Sequence, residues 1–177
     1  MKLIILDRDG VINHDSAMFI KSPDEWRPIE GSLAAIAKLN QAGYHVVIAT
    51  NQSGIGRGLF DMDTLNAIHE KMFKLVTQAG GRIDAVFFCP HSADSTCGCR
   101  KPQPGMLREI AQRFNTDLAG VPVVGDSMRD LIAGISVGCQ PFLVLTGKGQ
   151  KTAQDPHLPE GTRVFADLAA VASFLLS

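Results

Sequence analysis

The sequence predicts a three-layer α/β fold built on a parallel sheet, and three observations carry that prediction. Short, nearly continuous apolar runs alternate with longer segments of helical period. Most of the apolar runs stop at glycine or at small polar or acidic residues, as strand ends do in open α/β sheets. The 177 residues suit one domain (1–177), with no internal repeat, low-complexity tract or interdomain linker.

Taken in order, the expected strands are Leu3–Leu6, His45–Thr50, Ala85–Cys89, Pro122–Val124 and Pro141–Leu145. Their β-branched content and the turn residues around them favour strands over buried helix. The expected helices lie between and after them. Ser32–Ala42 carries Leu33, Ile36, Ala37 and Leu39 on one face and meets a stop at Gly43. Asp63–Ala79 shows a stripe of Leu65, Ile68, Met72, Leu75 and Val76, ended by Gly80-Gly81. Its Met and Phe positions read as core. Pro104–Phe114 opens on a proline in its first turn. Arg129–Val137 ends at Gly138, and Asp167–Leu176 closes the chain. The stretch 155–161 reads as a surface loop. Trp26, flanked by charge and proline, reads as packing for a lid.

Composition excludes several classes. The formal net charge is −1, so nothing suggests a nucleic-acid or anionic-membrane partner. The apolar run at the N-terminus stops at Asp7, far short of a signal core or spanning helix. A cytoplasmic, monomeric protein is expected. In that compartment its four cysteines stay reduced, which favours metal ligation over disulfides.

Chemistry gathers where strands end. Asp7-Arg8-Asp9-Gly10 places two carboxylates one residue apart after the first strand. One carboxylate can attack phosphorus to give an aspartyl-phosphate, and a neighbour can carry the proton. Such a pair also suits Mg²⁺. The alternative is an ordinary strand-to-turn junction. Thr50-Asn51-Gln52-Ser53-Gly54 follows the second strand. Its short donors suit phosphoryl oxygens, or else cap a helix. Asp126 could complete a Mg²⁺ site or cap the helix near Ser127, and Asp130 reads as a support for a neighbour. Lys101 could neutralise nucleophile and phosphate together, or be solvated.

Four such pieces in the order Asp-x-Asp, Thr, Lys, Asp resemble the haloacid dehalogenase (HAD) superfamily of phosphotransferases. The resemblance runs from Leu3 to about Gly147. It implies a Rossmann-like sheet with Asp7 as nucleophile and Asp9 as general acid/base. It further implies Thr50 and Lys101 on the transferring phosphoryl group, with Mg²⁺ held by Asp7, Asp126 and the backbone carbonyl of Asp9. Two other classes share parts of this pattern. A receiver-like phospho-binding module lacks the role that Asp9 would fill, and a zinc-stabilised interaction protein would not need the acidic set.

Cys89-Pro90-His91 and Cys97-Gly98-Cys99 place three thiols and one imidazole within eleven positions. Cys₃His is a closed tetrahedral Zn²⁺ set, so zinc is expected to be structural and to pin the 89–99 loop. Cys139 stands apart in apolar context and reads as core. Arg100 follows the loop and can grip an anionic or hydroxyl-rich part of a substrate. The zinc loop, with Asp-Arg-Asp-Gly and Thr-Asn-Gln-Ser-Gly-Ile-Gly-Arg-Gly, resembles a narrower cap-less branch of the superfamily. That branch implies a phosphorylated small molecule as substrate. The better match is a heptose 1,7-bisphosphate losing its C7 phosphate on the way to nucleotide-activated heptose, and the alternative is histidinol phosphate. It also implies that Asp15, Ser16, Ala17 and Met18 line the pocket with Thr50, Asn51, Gln52 and Ser53, and that Arg100 reads the sugar end.

Overall fold

The computed structural model describes residues 1–177. Six parallel strands form one sheet: β1 (Leu3–Leu6), β2 (His45–Asn51), β3 (Ala85–Cys89), β4 (Pro122–Gly125), β5 (Gln140–Val144) and β6 (Arg163–Phe165). Their order across the sheet is β3-β2-β1-β4-β5-β6. The strand order therefore reverses at β1, and crevices for ligands open at the carboxyl ends on either side of such a point. Asp7 and Asp126 are the residues that follow the two strands flanking that crevice.

The connecting helices are α1 (Ser32–Gln41), α2 (Ser53–Gly56), α3 (Met62–Gln78), α4 (Gly105–Arg113), α5 (Met128–Ser136), α6 (Gly149–Ala153) and α7 (Leu168–Leu175). The sheet is covered on both faces, which explains why its strands read as unbroken apolar runs. Alternate residues divide between two cores. Ile4, Leu6, Val46 and Ile48 pack with residues of α1, α3 and α7, whereas Leu3, Ile5, Val47 and Ala49 pack with α4 and α5. All four residues of β1 are buried. Each such side chain contributes about 1.5–3 kcal/mol of transfer free energy. Asp61 caps α3 by accepting the Thr64 amide at 2.9 Å, and Asp167 caps α7 by accepting that of Ala170 at 2.9 Å.

Four departures from the sequence reading have physical causes. Edge strand β6 is only three residues long and largely exposed, so no apolar run announces it. Helices α2 and α6, of four and five residues, are too short to show a period. Trp26 is not lid packing: its ring is fully buried in the larger core. Lys71 of α3 donates to the carbonyls of Pro23 and Trp26, both at 2.7 Å, and so ties that turn to the helix. In α3 the stripe holds for Met72, but Phe73 is 40% exposed. Cys139 is buried, as expected.

Candidate active site

The site grows out of the β1 end. The amide of Asp7 donates to the Val124 carbonyl at 2.9 Å, so the backbone pairing of β1 with β4 fixes the carboxylate's origin. Gly10 turns the chain with a positive φ of 85°. A side chain at Gly10 or at Gly147 would collide with the Asp126 carboxylate. Both glycines are thus needed for close backbone approach around that group. Asp126 is held in place by the Lys148 amide, which donates to its Oδ2 at 2.9 Å. Thr152 Oγ1 donates to the Asp126 carbonyl at 2.8 Å.

Lys101 is buried between two acids. Its ammonium lies 2.6 Å from Asp130 Oδ1 and 3.2 Å from Asp7 Oδ1, and it donates to the Ala49 carbonyl at 2.8 Å. Burial alone would lower its pKa, but Asp130 and then Asp7 more than offset that and hold it charged far above neutrality. Asp130 also accepts the amides of Asp126 and Ser127 and the Ser127 hydroxyl at 3.1–3.2 Å. It is therefore a support for the lysine and the loop, with little of its carboxylate left for a ligand.

The carboxylates of Asp7, Asp126 and Asp130 lie within 4.8 Å of one another. Burial, then repulsion from Asp130, raises the Asp7 pKa well above the usual range, while Lys101 opposes the shift. Burial followed by the Asp130 charge pushes Asp126 up to about 7. Crowded, buried carboxylates that resist ionisation are the donor set a hard divalent cation relieves. Asp7 and Asp126 thus fit Mg²⁺. The Asp9 carboxylate stands outside this set. Its Oδ1 accepts from Arg8 Nε at 2.9 Å and Asn13 Nδ2 at 3.0 Å, and its Oδ2 from Gln52 Nε2 at 3.3 Å.

These groups open into a cleft of about 220 Å³ lined almost wholly by polar residues, among them Asp7, Asp9, Thr50, Lys101 and Asp126. Of the residues expected to meet substrate, Asp15, Ser16, Ala17, Asn51, Ser53 and Arg100 line it. Gln52 does not, because its amide bridges Thr50 Oγ1, at 3.0 Å, and Asp9. Asn51 is partly occupied as well, accepting the Lys101 amide at 3.0 Å and donating to the Lys101 carbonyl at 3.2 Å. Met18 lies outside the cleft and is 71% exposed, since the backbone turns at Phe19, φ 66°, and leaves it on the outer side. Phe19, Arg57, Arg129 and Lys148 also line the cleft. Of these, Arg57 lies in the Gly-Ile-Gly-Arg-Gly run that follows the second strand, and the other three stand outside the motifs singled out in the sequence. A glycine-flanked lysine after β5, Gly147-Lys148-Gly149, was the signal available for Lys148.

Beside the cleft, Cys89, His91, Cys97 and Cys99 bring their ligand atoms within 4.8 Å of one another. Cys89 Sγ is 3.4 Å from His91 Nδ1 and 3.7 Å from Cys97 Sγ, and Cys99 Sγ is 3.4 Å from His91 Nδ1. Tetrahedral Zn²⁺ with bonds of about 2.3 Å to sulfur and 2.0–2.1 Å to nitrogen requires ligand separations of about 3.5–3.8 Å. The cluster fits zinc with no spare ligand position. Burial, then the neighbouring thiols, pushes Cys99 up to about 12 in the absence of a cation. The loop is seated by close backbone contacts, since the Gly56 amide donates to Pro90 and the Gly105 amide to Gly98, both at 2.9 Å. The Gln52 backbone N–H donates to the Cys89 carbonyl at 2.8 Å, which links the loop to the β2 end.

A crevice at the strand-order reversal, with an acidic floor suited to a divalent cation and a buried lysine beside the first carboxylate, defines a HAD-like hydrolase. A family model described as "HAD-hyrolase-like" matches residues 98–171. D-glycero-β-D-manno-heptose-1,7-bisphosphate 7-phosphatase of Bordetella bronchiseptica is 64% identical over 99% of this chain and 98% of its own length. The protein of the same name from Pseudomonas aeruginosa is 56% identical over 98% and 97%. The chain belongs to this phosphatase family. The crystal structure of the B. bronchiseptica D,D-heptose 1,7-bisphosphate phosphatase, complexed with magnesium and phosphate, superposes with a TM-score of 0.98 and covers 99% of this chain and 98% of that one. A HAD-like phosphatase from Mesorhizobium loti, 31% identical, superposes with a TM-score of 0.84 over 99% and 85% of the two chains. No helix of the structure is long and apolar enough to cross a membrane.

Proposed function

We propose that the chain is a Mg²⁺-dependent phosphatase that removes the C7 phosphate of D-glycero-β-D-manno-heptose 1,7-bisphosphate through an aspartyl-phosphate. The observation that carries the reading is the Lys101 ammonium placed 3.2 Å from Asp7 on the floor of the cleft. Relatives 53–64% identical over nearly the whole chain, all bearing the β-heptose phosphatase name, support the choice of substrate and anomer.

In the first step an Asp7 oxygen forms a bond to phosphorus as the bond from phosphorus to the C7 oxygen breaks. Lys101 and Thr50 stabilise charge on the phosphoryl oxygens. Asp9 gives its proton to the departing sugar oxygen. In the second step Asp9 takes a proton from water, whose oxygen attacks phosphorus and releases inorganic phosphate from Asp7. Mg²⁺ held by Asp7, Asp126 and the Asp9 carbonyl would neutralise the reacting anions. Asp15, Ser16 and Ala17 would meet the sugar, and Arg100 its far end. The partner is a small phosphorylated sugar. A monomer in a reducing, cytoplasmic compartment suits thiols kept for zinc.

The test is kcat/KM with Mg²⁺ for both anomers of the heptose bisphosphate and for histidinol phosphate. A preference of about a hundredfold or more for the β anomer is expected, the scale polar contacts to a substrate can supply. Equal rates on histidinol phosphate would overturn the substrate assignment while leaving the phosphotransfer chemistry intact.

Zinc separates binding from chemistry. Because the loop leads into Arg100, whereas Asp7 and Asp9 follow β1 on the far side of β2, chelating zinc is expected to raise KM for the bisphosphate about tenfold or more, the worth of a lost charged contact. Turnover of a small generic phosphate ester should change less than threefold, roughly the scatter of neutral changes. Equal losses on both compounds would refute this division.

A further inference from the structure

Arg8 lies between the two catalytic candidates in sequence, yet its side chain is fully buried and faces no solvent. Its Nε and Nη2 are 2.9 and 2.8 Å from Asp9 Oδ1. Its Nη1 is 3.0 Å from Nε2 of His69, a residue 61 positions away on α3. His69 occupies a place in the buried stripe of that helix with Leu65, Ile68, Met72 and Val76, where an apolar side chain would otherwise sit. Arginine has only donors, so His69 Nε2 must accept, and the ring is the neutral tautomer with its proton on Nδ1. Burial, then the Arg8 charge, pushes its pKa down to about 4, in keeping with that state.

We propose that His69 is a positioning residue for the phosphatase reaction: it fixes the Arg8 guanidinium, which in turn orients the Asp9 carboxylate. The proposal rests on the reading of Asp9 as acid/base. Arg8 and Asn13 both donate to Oδ1 of Asp9, and that oxygen is already satisfied. The proton that goes to the sugar oxygen and returns from water is therefore carried on Oδ2, which meets only the 3.3 Å contact from Gln52. Without an acceptor at His69, Nη1 of Arg8 becomes a buried unpaired donor. The guanidinium then turns to find another partner and carries Asp9 out of line. Small misplacements of a proton-transfer group cost rate rather than affinity.

The experiment compares His69→Gln with His69→Met. The two side chains have similar shape and helix preference, but only glutamine offers an acceptor oxygen near the Nε2 position. Steady-state kinetics on the heptose bisphosphate are measured for both, with thermal melts and with Asp9→Asn alongside. His69→Met is expected to lose about tenfold in kcat with KM within twofold, as for one buried hydrogen bond to a charged group, while His69→Gln stays within about threefold of wild type. Equal kcat values for the two variants, whether high or low, would overturn the positioning role. Near wild-type turnover by Asp9→Asn would instead overturn the acid/base reading on which it stands.

Discussion

Replacing Asp7 by asparagine is expected to abolish turnover, by about four orders of magnitude or more, and to leave the fold intact. Loss of a nucleophile is the most damaging single change in enzymes that form a covalent intermediate. The amide oxygen can still accept the Arg8 backbone N–H, which Asp7 Oδ1 now accepts at 2.8 Å, so the local turn survives. It cannot attack phosphorus at a useful rate. Stability should move the other way. Burial and the neighbouring Asp130 and Asp126 charges oppose ionisation of Asp7, and Lys101 is the charge that favours it. Removing that carboxylate relieves the repulsion, so the metal-free variant should melt no lower than the wild type, or a few degrees higher. Stabilisation by added Mg²⁺ should shrink in step, because binding to the native state alone raises apparent stability. Phosphate release and melting curves with and without Mg²⁺ check both halves. Turnover near wild type would dismiss Asp7 as nucleophile, whatever the melts show.

What the sequence made legible was local. Asp7 and Asp126 were visible because each follows the last residue of an apolar strand, and Thr50 because it ends the apolar run of β2 one residue before that strand stops; parallel strands bring such ends to one side. The Cys₃His set was visible because its ligands lie within one short loop. The hidden contacts join distant segments. Nothing in the order of residues says that the Lys148 amide will reach Asp126 across 22 positions, or that His69 will meet Arg8. A polar residue in an apolar stripe was the sole hint of the latter. Trp26 misled because charge and proline beside an indole describe the backbone's exposure and not where the ring goes. Met18 misled because adjacent loop residues can face opposite ways: Ala17 and Phe19 line the cleft and Met18 does not.

Lys101→Met is expected to damage stability and catalysis together, and a second substitution should separate the two. Lys101 is 5% exposed, and its ammonium bridges Asp130 and Asp7. Deleting one member of a buried ionic cluster leaves its partners uncompensated, at a cost of about 3–5 kcal/mol. Protonation of Asp7, whose pKa is already raised, absorbs part of that cost. For a chain of this length the remainder should appear as a fall in Tm of about 5–15 °C. Turnover should fall about a hundred- to a thousandfold, as when a pre-oriented charge at a reacting anion is lost. Lys101→Met combined with Asp130→Asn removes the lysine's closer partner while keeping an amide beside the Asp126 and Ser127 N–H groups. Much of the stability should therefore return, because replacing both members of a buried pair is far less costly than replacing one. Activity should not return, since neither methionine nor asparagine can neutralise the phosphoryl group beside Asp7. Recovery of turnover in the double variant would assign Lys101 to the architecture of the β1 and β4 ends alone. Recovery of stability without turnover would assign it to both the architecture and the chemistry.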